Sequence, residues 1–279
     1  MSGAPTAATR LLALLGDPVS HSLSPLIQNA ALRALGLDAV YVALRCAGGD
    51  VAGLLRGIAR AGGAGNVTVP HKAAALAAVD VASEDARATG ACNAFWLEDG
   101  AVHGDNTDVE GVRRAVDTVG RGIVPAHVLL VGAGGAASAA LRALQGMGTD
   151  HVILLNRTPE RAEALAERFA GDGTFLVTPQ PADVDLRDYH FHLIVNASSL
   201  GLRPDDPLPP TAGARFGGAL DLVYARDDTP FVREMRGRGI PALDGKEVLL
   251  HQGAAAFRRW FGVEPPVEAM RRALFPSSP

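Results

Sequence analysis

The stretch Val128-Leu-Leu-Val-Gly-Ala-Gly-Gly-Ala-Ala-Ser-Ala-Ala-Leu141 decides the fold class. Val128 to Val131 is a short apolar run that reads as a strand buried on both faces. It stops at Gly132-Ala133-Gly134-Gly135-Ala136-Ala137, and a run of small, helix-favouring residues follows. Strand, glycine turn and helix with the spacing G-x-G-x-x-A form a dinucleotide-binding fingerprint. The first glycine permits the tight turn, the second lets backbone approach a pyrophosphate, and the helix N-terminus receives the negative charge. With 32 glycines in the chain, chance matches to such a pattern are expected, so the next strand must decide.

That strand is His151 to Leu155, and its end reads Asn156-Arg157-Thr158, with Arg161 one turn into the following helix. An NAD site places a carboxylate there for the ribose 2′-hydroxyl. Here no carboxylate repels a 2′-phosphate, and two guanidiniums can pair with one. Thr158-Pro159 also reads as a helix N-cap with proline at the first helical position, which is compatible with phosphate binding. The residues therefore point to NADP.

A length of 279 residues accommodates one or two domains with their own cores. Hydrophobic content of 48%, charged content of 20% and a net charge of −4 describe a soluble globular protein and give no nucleic-acid surface. Cys46 and Cys92 lie far apart and read as free buried thiols of a cytoplasmic protein. Ile123 to Leu141 lacks Asp, Glu, Lys and Arg, but Pro125, His127 and the glycine fingerprint inside it argue against a membrane span. The opening MSGAPTAATR lacks a signal peptide's basic start and long apolar core. The eight histidines show no metal-ligand spacing, and no G-x-S-x-G elbow or phosphate-binding P-loop is present, so no metal is expected.

Outward from the fingerprint, the chain alternates strands and helices. Strands are expected at Leu11–Leu15, Val40–Cys46 and Gly65–Thr68, with helices from Ser24-Pro25 to about Leu35, from Val51 to Arg60, and from Pro70 to about Val79. Asn93–Leu97 and Ala101–Gly104 read as a hairpin around Glu98-Asp99-Gly100, and a helix runs from Asp108 to about Val119. Beyond the fingerprint, strands are expected at Thr174–Val177, His192–Val195 and Ala219–Leu222. Helices are expected from Thr229-Pro230 to about Arg236, over Lys246–Trp260 and over Pro266–Leu274. The fold class is α/β: an N-terminal α/β substrate domain plus a Rossmann-type dinucleotide-binding domain, with a cleft between them. The expected boundaries are 1–108, completed by C-terminal helices at about 246–279, and 109–245.

Several polar residues fall at strand ends or loops, where α/β sheets bind ligands. They are Ser22, Ser24, Asn66, Thr68, Lys72, Asn93, Asp108, Tyr224 and Gln252. Lys72 stands in the first turn of a helix, where the dipole disfavours a cation, among apolar neighbours. Partial burial and the dipole would lower its pKa, as an acid–base lysine requires, and a nearby carboxylate would raise it. The same residue also reads as a snorkelling surface lysine. Thr107-Asp-Val-Glu110 is a sequence-level capping box, and Ser24 before Pro25 reads as an N-cap, whereas Ser22 has no such structural reason.

Nine segments in order resemble shikimate dehydrogenases. They are Gly16-Asp-Pro-Val-Ser-His-Ser22-Leu-Ser24-Pro25, Asn66-Val-Thr-Val-Pro-His-Lys72, Gly90-Ala-Cys-Asn93, Asp105-Asn-Thr-Asp108, Gly132-Ala-Gly-Gly-Ala136, Asn156-Arg-Thr158, Asn196-Ala-Ser-Ser199, Asp221-Leu-Val-Tyr224 and Gln252-Gly-Ala254. The resemblance implies reversible NADPH-dependent reduction of 3-dehydroshikimate to shikimate in the chorismate route. It implies that Ser22, Ser24 and Tyr224 hold the substrate carboxylate, and that Asn66, Thr68, Asn93, Asp108 and Gln252 hold ring hydroxyls. Lys72 and Asp108 would form the catalytic pair. Gly132, Ala133, Gly134, Gly135, Ala136, Asn156, Arg157, Thr158, Arg161, Leu222 and Gly245 would bind the cofactor. The protein would act as a monomer or homodimer on a small-molecule substrate, with no nucleic acid or membrane partner. The chain departs from the family at Gln28, Ala94, Leu222, Arg226 and Val248. Ala94 leaves room for quinate or an aminoshikimate-type substrate. A quinate/shikimate enzyme would usually prefer NAD and carry an acidic residue near Asn156, which Arg157 argues against. A non-catalytic NADP-binding sensor of the same fold is the alternative from another class, and it would not need Lys72 and Asp108.

Overall fold

The computed structural model describes residues 4–171, 174–202, 205–225 and 227–275. They divide into two compact units. One contains the residues up to Thr107 together with those from Leu249 onward, and the other runs from Asp108 to Val248. Arg226, one of the departures from the family, lies outside the described residues.

The first unit contains β1 (Arg10–Gly16), α1 (Ser24–Ala34), β2 (Ala39–Arg45), α2 (Val51–Arg60), β3 (Ala64–Val67), α3 (Lys72–Ala78), β4 (Val81–Ala82), α4 (Glu84–Thr89), β5 (Ala94–Glu98) and β6 (Ala101–Asp105). Their sheet runs β2-β1-β3-β5-β6-β4. The first three strands are parallel and joined by helices, while β5 is antiparallel to β3 and to β6. Alternate residues of one strand serve opposite faces. Leu12 and Leu14 enter one core with Tyr41, Ala64 and Ala94, and Ala13 and Leu15 enter the other with Val67, Phe95 and Val102.

The second unit contains α5 (Asp108–Val119), β7 (His127–Val131), α6 (Gly135–Met147), β8 (His151–Asn156), α7 (Pro159–Phe169), β9 (Leu176–Pro181), β10 (His190–Phe191), β11 (Leu193–Asn196), β12 (Arg215–Phe216), β13 (Ala219–Asp221), α8 (Pro230–Gly237) and β14 (Ala242–Leu243). The main sheet is parallel throughout and runs β9-β8-β7-β11-β13-β14. Counted within this sheet, that is the order 3-2-1-4-5-6 of a Rossmann fold. Its strands are buried on both faces, which explains their continuous apolar runs. Val128, Leu130, Val152 and Leu154 face one core, and Leu129, Val131, Ile153 and Leu155 face the other.

The unit boundary falls within α9 (Gly245–Phe261), and α10 (Val267–Leu274) follows. Leu250, Ala254, Phe257, Trp260, Met270 and Leu274 join the first unit's core beside Ile27, Leu32 and Tyr41. Among the described residues no helix is long and apolar enough to cross a membrane.

Several local expectations need correction. α3 starts at Lys72 rather than Pro70, because the His71 N–H closes a turn onto the Thr68 carbonyl first. The third strand of the Rossmann sheet is displaced from Thr174–Val177 to Leu176–Pro181, where it pairs with all of β8. The short β4 and α4 were not anticipated. α4 is set by Ser83, whose hydroxyl accepts the Ala86 N–H, and by left-handed Gly90 at its end.

Phe257 is fully buried, with its ring 4.6 Å from that of Phe261. Phe257→Ala is expected to destabilise the protein by about 3–5 kcal/mol, the usual cost of removing a buried aromatic ring. Urea unfolding followed by circular dichroism measures this, and an unchanged midpoint would show that α9 does not carry that core.

Candidate active site

In the first unit the polar candidates gather at the carboxyl ends of β1 and β3 and along the chain that follows them. Asn66 is the third residue of β3, and Thr68 follows the strand with its N–H on the Leu15 carbonyl at 2.8 Å. A Cβ on Gly16 would lie 2.4 Å from the Thr68 methyl, so only glycine lets Thr68 sit so close to β1. Lys72, half-buried, is the first residue of α3. Its carbonyl accepts the Cys92 N–H at 2.9 Å, and its charge acts on the Cys92 thiol, so the ammonium stands near the Cys92-Asn93 segment. Burial pushes that thiol up to about 12, so Cys92 stays protonated, like the structural cysteine expected.

A chain of hydrogen bonds joins three of the candidates. The Tyr41 hydroxyl donates to Asn66 Oδ1 at 2.8 Å, and Asn66 Nδ2 donates to the Asn93 carbonyl at 2.9 Å. Asn93 Nδ2 donates to Gln252 Oε1 at 3.4 Å, and Gln252 Nε2 donates to the Leu249 carbonyl at 3.1 Å. Asn93 Oδ1 accepts the Thr107 N–H at 2.7 Å and the Thr107 hydroxyl at 3.1 Å. Tyr41, Asn66, Asn93, Thr107 and Gln252 are all buried. Asp105, also buried, accepts from Ser83, from the Asn106 N–H and from Arg259, and so fixes the segment leading to Asp108. Tyr41 and Asp105 were not singled out from sequence. Tyr41 carried no signal beyond its place in a strand, whereas Asp105 stood inside a quoted motif.

Two helix-start expectations are overturned. Leu23, not Ser24, is the N-cap of α1, and Ser24 is already helical. It is the Ser22 hydroxyl that accepts the Ser24 N–H, at 3.2 Å, so Ser22 has the structural role and Ser24 has none at the helix end. Thr107 and Glu110 do not form a capping box either. The Thr107 N–H is taken by Asn93, and Glu110 accepts from Arg113 and Arg114. Ala94, expected to bear on substrate range, is fully buried in the apolar core, and Gln28 is buried with Nε2 on the Gly253 carbonyl at 3.0 Å.

In the second unit, Asp108 opens α5 and Tyr224 follows β13, both half-buried. The glycine loop joins β7 to α6 at the point where strand order reverses between β7 and β11. Gly132 has φ +110°, and a Cβ there would meet the Ala197 carbonyl oxygen at 2.7 Å. Backbone thus approaches backbone at the crevice where dinucleotides bind in this fold. Ala133 is half-buried, whereas Gly134, Gly135 and Ala136 are exposed at the N-terminus of α6. Asn156 Nδ2 donates to the Thr158 carbonyl at 2.8 Å, shaping the turn after β8. Thr158 is the N-cap of α7 with Pro159 at its start, but its side chain makes no capping bond. Arg157 and Arg161 are exposed and have no carboxylate partner among the described residues. This donor set, main-chain N–H groups at a helix N-terminus and two exposed guanidiniums, fits the charges of an NADP-type dinucleotide. Leu222, Ala133, Ala197 and Val248 are partly buried against one core, and the Gly245 N–H donates to the Val223 carbonyl at 2.9 Å.

Asp221, buried at the end of β13, holds the neighbouring loops. It accepts from Asn196 Nδ2 at 2.9 Å, from the Thr229 hydroxyl at 2.6 Å and from the Val223 N–H at 3.1 Å. Burial pushes its pKa up to about 6, with those hydrogen bonds pulling the other way.

Comparison with known proteins agrees with these features. Residues 14–95 match the shikimate dehydrogenase substrate binding domain, residues 115–189 the shikimate / quinate 5-dehydrogenase family, and residues 245–275 the shikimate 5′-dehydrogenase C-terminal domain. The NADP(+) shikimate dehydrogenase of Moorella thermoacetica is 41% identical over 96% of this chain and 93% of its own. The chain belongs to the shikimate dehydrogenase family. A shikimate 5-dehydrogenase from Thermus thermophilus, solved in complex with NADP(H) and shikimate, superposes with a TM-score of 0.84 at 37% identity, over 95% of this chain and 98% of its own. A shikimate dehydrogenase solved in complex with NADP+ gives 0.86 at 32% identity, over 97% and 96%.

The Asp221 carboxyl makes stability depend on pH. Its unfolded-state value is near 3.8, so between about pH 4 and 6 the unfolded chain has lost a proton that the folded chain keeps. This share of stability is present below about pH 4 and is lost as pH rises through about 6, by roughly 3 kcal/mol at most. Asp221→Asn is expected to flatten that part of the profile in urea unfolding across the same range. An unchanged profile would assign the dependence to another group.

Proposed function

We propose that this chain is an NADP-dependent shikimate dehydrogenase, interconverting 3-dehydroshikimate and shikimate in the chorismate pathway, in the cytoplasm, as a monomer or homodimer. The observation that carries this reading is the buried run of amides from Asn66 through Asn93 to Gln252 beside a half-buried lysine. A polyhydroxylated ring needs donors and acceptors held in fixed directions, and amides in a hydrogen-bonded chain provide both. The first unit would hold the substrate and the second the cofactor.

Ser22 and Ser24, with Tyr224, would hold the substrate carboxylate. Asn66, Thr68, Asn93 and Gln252 would hold ring hydroxyls. Reduction of a ketone leaves an alkoxide that needs a proton, and Lys72 would supply it at the ketone oxygen. Asp108 would orient the lysine and the adjacent hydroxyl. NADPH, when bound, supplies the hydride. The glycine loop would receive its pyrophosphate, with Ala133, Leu222 and Gly245 bordering the nicotinamide. Asn156, Arg157, Thr158 and Arg161 would form the 2′-phosphate pocket.

Steady-state assays with shikimate and quinate, each with NADP and NAD, test the reading. Shikimate with NADP is expected to give the highest kcat/KM, and preference for quinate with NAD would replace this reading with the quinate one.

Arg157→Asp is expected to raise the Michaelis constant for NADP, with a loss of roughly 2–4 kcal/mol in apparent binding and a smaller fall in kcat at saturating cofactor. Unchanged NADP affinity would remove Arg157 from the pocket.

Lys72→Ala is expected to lower kcat by about 10²–10⁴, the usual worth of a positioned acid–base group, with NADP binding nearly unaffected. Asp108→Asn should also lower kcat. Because the two would act as a unit, the double variant should be little worse than the worse single one. Near-normal kcat in Lys72→Ala would end the assignment of Lys72, and additive losses would mean separate roles.

A further inference from the structure

Gln28 in α1 is fully buried, and its Nε2 donates to the Gly253 carbonyl of α9 at 3.0 Å. A carbonyl can only accept, so the amide nitrogen must face it and Oε1 is turned away. That Oε1 meets no donor among the described residues. Gly253 lies inside α9, where the N–H four residues later serves its carbonyl, so the bond from Gln28 is a second one on that oxygen. A glutamine here carries a buried acceptor without a donor, a cost that a methionine of similar size would avoid. Stability alone gives no reason for an amide at this position. What the amide supplies is a fixed direction and length between two helices.

The helices meet at this point. A Cβ on Gly253 would lie 2.8 Å from Ile27 Cδ1 and 3.2 Å from Gln28 Nε2, so only glycine lets the α9 backbone come this close to α1. Ser24 stands one turn before Gln28 on the same side of α1, and Gln252 is the residue beside Gly253. Asn29 holds α1 independently. Its Nδ2 donates to the Tyr41 carbonyl at 2.8 Å and its Oδ1 accepts the Tyr41 N–H at 3.0 Å, a two-bond clamp onto β2 that places Ser24. Gln252 has no comparable hold outside its own helix. Its Nε2 bonds the Leu249 carbonyl of α9, and its Oε1 accepts from Asn93 and Thr107 only at 3.4 and 3.5 Å, near the limit of a hydrogen bond. Its position therefore depends on where the α9 backbone is pinned, and Gln28 pins it one residue away.

We propose that Gln28 is a positioning residue for the substrate: it sets the span between Ser24 and Gln252, which would meet the carboxylate and a ring hydroxyl of one ligand. This rests on the proposed roles of Ser24 and Gln252, and its test separates the two levels. Gln28→Met keeps the volume and removes the donor. It is expected to raise the KM for shikimate about three- to tenfold, up to the worth of one neutral hydrogen bond, with kcat and the KM for NADP little changed and the thermal midpoint unchanged or raised. Gln28→His, whose ring N–H can donate to the same carbonyl, is expected to bring the KM back to within about twofold of the wild type. Gln252→Ala should raise the KM by itself, and adding Gln28→Met to it should raise it no further, because the span matters only while Gln252 is there to use it. Unchanged KM in Gln28→Met, a rise accompanied by a lower thermal midpoint, no rescue by Gln28→His, or a full further rise in the double variant would overturn the positioning role and leave the site assignment standing. Unchanged KM in both Ser24→Ala and Gln252→Ala would overturn the site assignment and this proposal with it.

Discussion

Polar side chains removed from water must find their hydrogen-bond partners inside the protein, and in the first unit that constraint organises everything around it. Tyr41, Asn66, Asn93, Thr107 and Gln252 come from β2, β3, the approach to β5, the exit from β6 and α9. Each bonds a neighbour in the series, so the hydrogen-bonded chain aligns five pieces of backbone distant in sequence. Loss of one member leaves its neighbour buried and unpaired, at a cost of about 1–3 kcal/mol. An amide whose two ends are separately committed cannot flip, and each amide here therefore presents a fixed donor and a fixed acceptor. Such rigidity suits the recognition of a ring whose hydroxyls differ only in direction.

The second unit meets a different constraint, the close approach of backbone to backbone at the glycine loop. Gly132 packs against Ala197, and the two loops meet at the reversal of strand order in the sheet. In the proposed reading the anion would meet main-chain N–H groups at the start of α6 and side-chain charge at the end of β8. Asp221 keeps the neighbouring loops in order through Asn196, Thr229 and Val223. Among the described residues Arg157 and Arg161 have no acidic partner, which keeps their charge available and matters more for a phosphate than for a hydroxyl.

The secondary structure was largely legible wherever one rule dominated. Helix α2 and helix α5 begin and end where their patterns predict, and the longer strands of both sheets fall within a few residues of expectation, whereas the two-residue edge strands β4 and β14 were not expected. Legibility failed where a group from outside the local pattern took a hydrogen bond that the pattern assigned. Ser24 before Pro25 has the chemistry of a cap, yet the helix begins one residue earlier, with the Leu26 and Ile27 N–H groups on the Leu23 carbonyl. Thr107 and Glu110 have capping-box spacing, but Asn93 and two arginines claim them first. Local spacing cannot report a partner supplied from elsewhere in the chain. Tyr41 shows the same limit from the other direction. In sequence it is one more aromatic in a strand, and only the fold places its hydroxyl on Asn66 Oδ1. For the candidate site, strand-end position was enough to nominate residues one by one, but not to reveal that Asn66, Asn93 and Gln252 form one connected system.

The return of α9 and α10 to the first unit has a bearing on how the protein is made. One of that unit's cores, around Ala13, Leu15, Val51, Leu55 and Phe95, draws only on residues that leave the ribosome early. The other core needs Leu250, Phe257, Trp260 and Met270, which leave last. Between them the whole second unit emerges as one uninterrupted segment. The nucleotide-binding half can therefore be complete while the N-terminal half still exposes the apolar face that α9 and α10 will cover. The beginning of the chain is the part that finishes folding last, and until it does, the nascent enzyme keeps an uncovered apolar face where synthesis began.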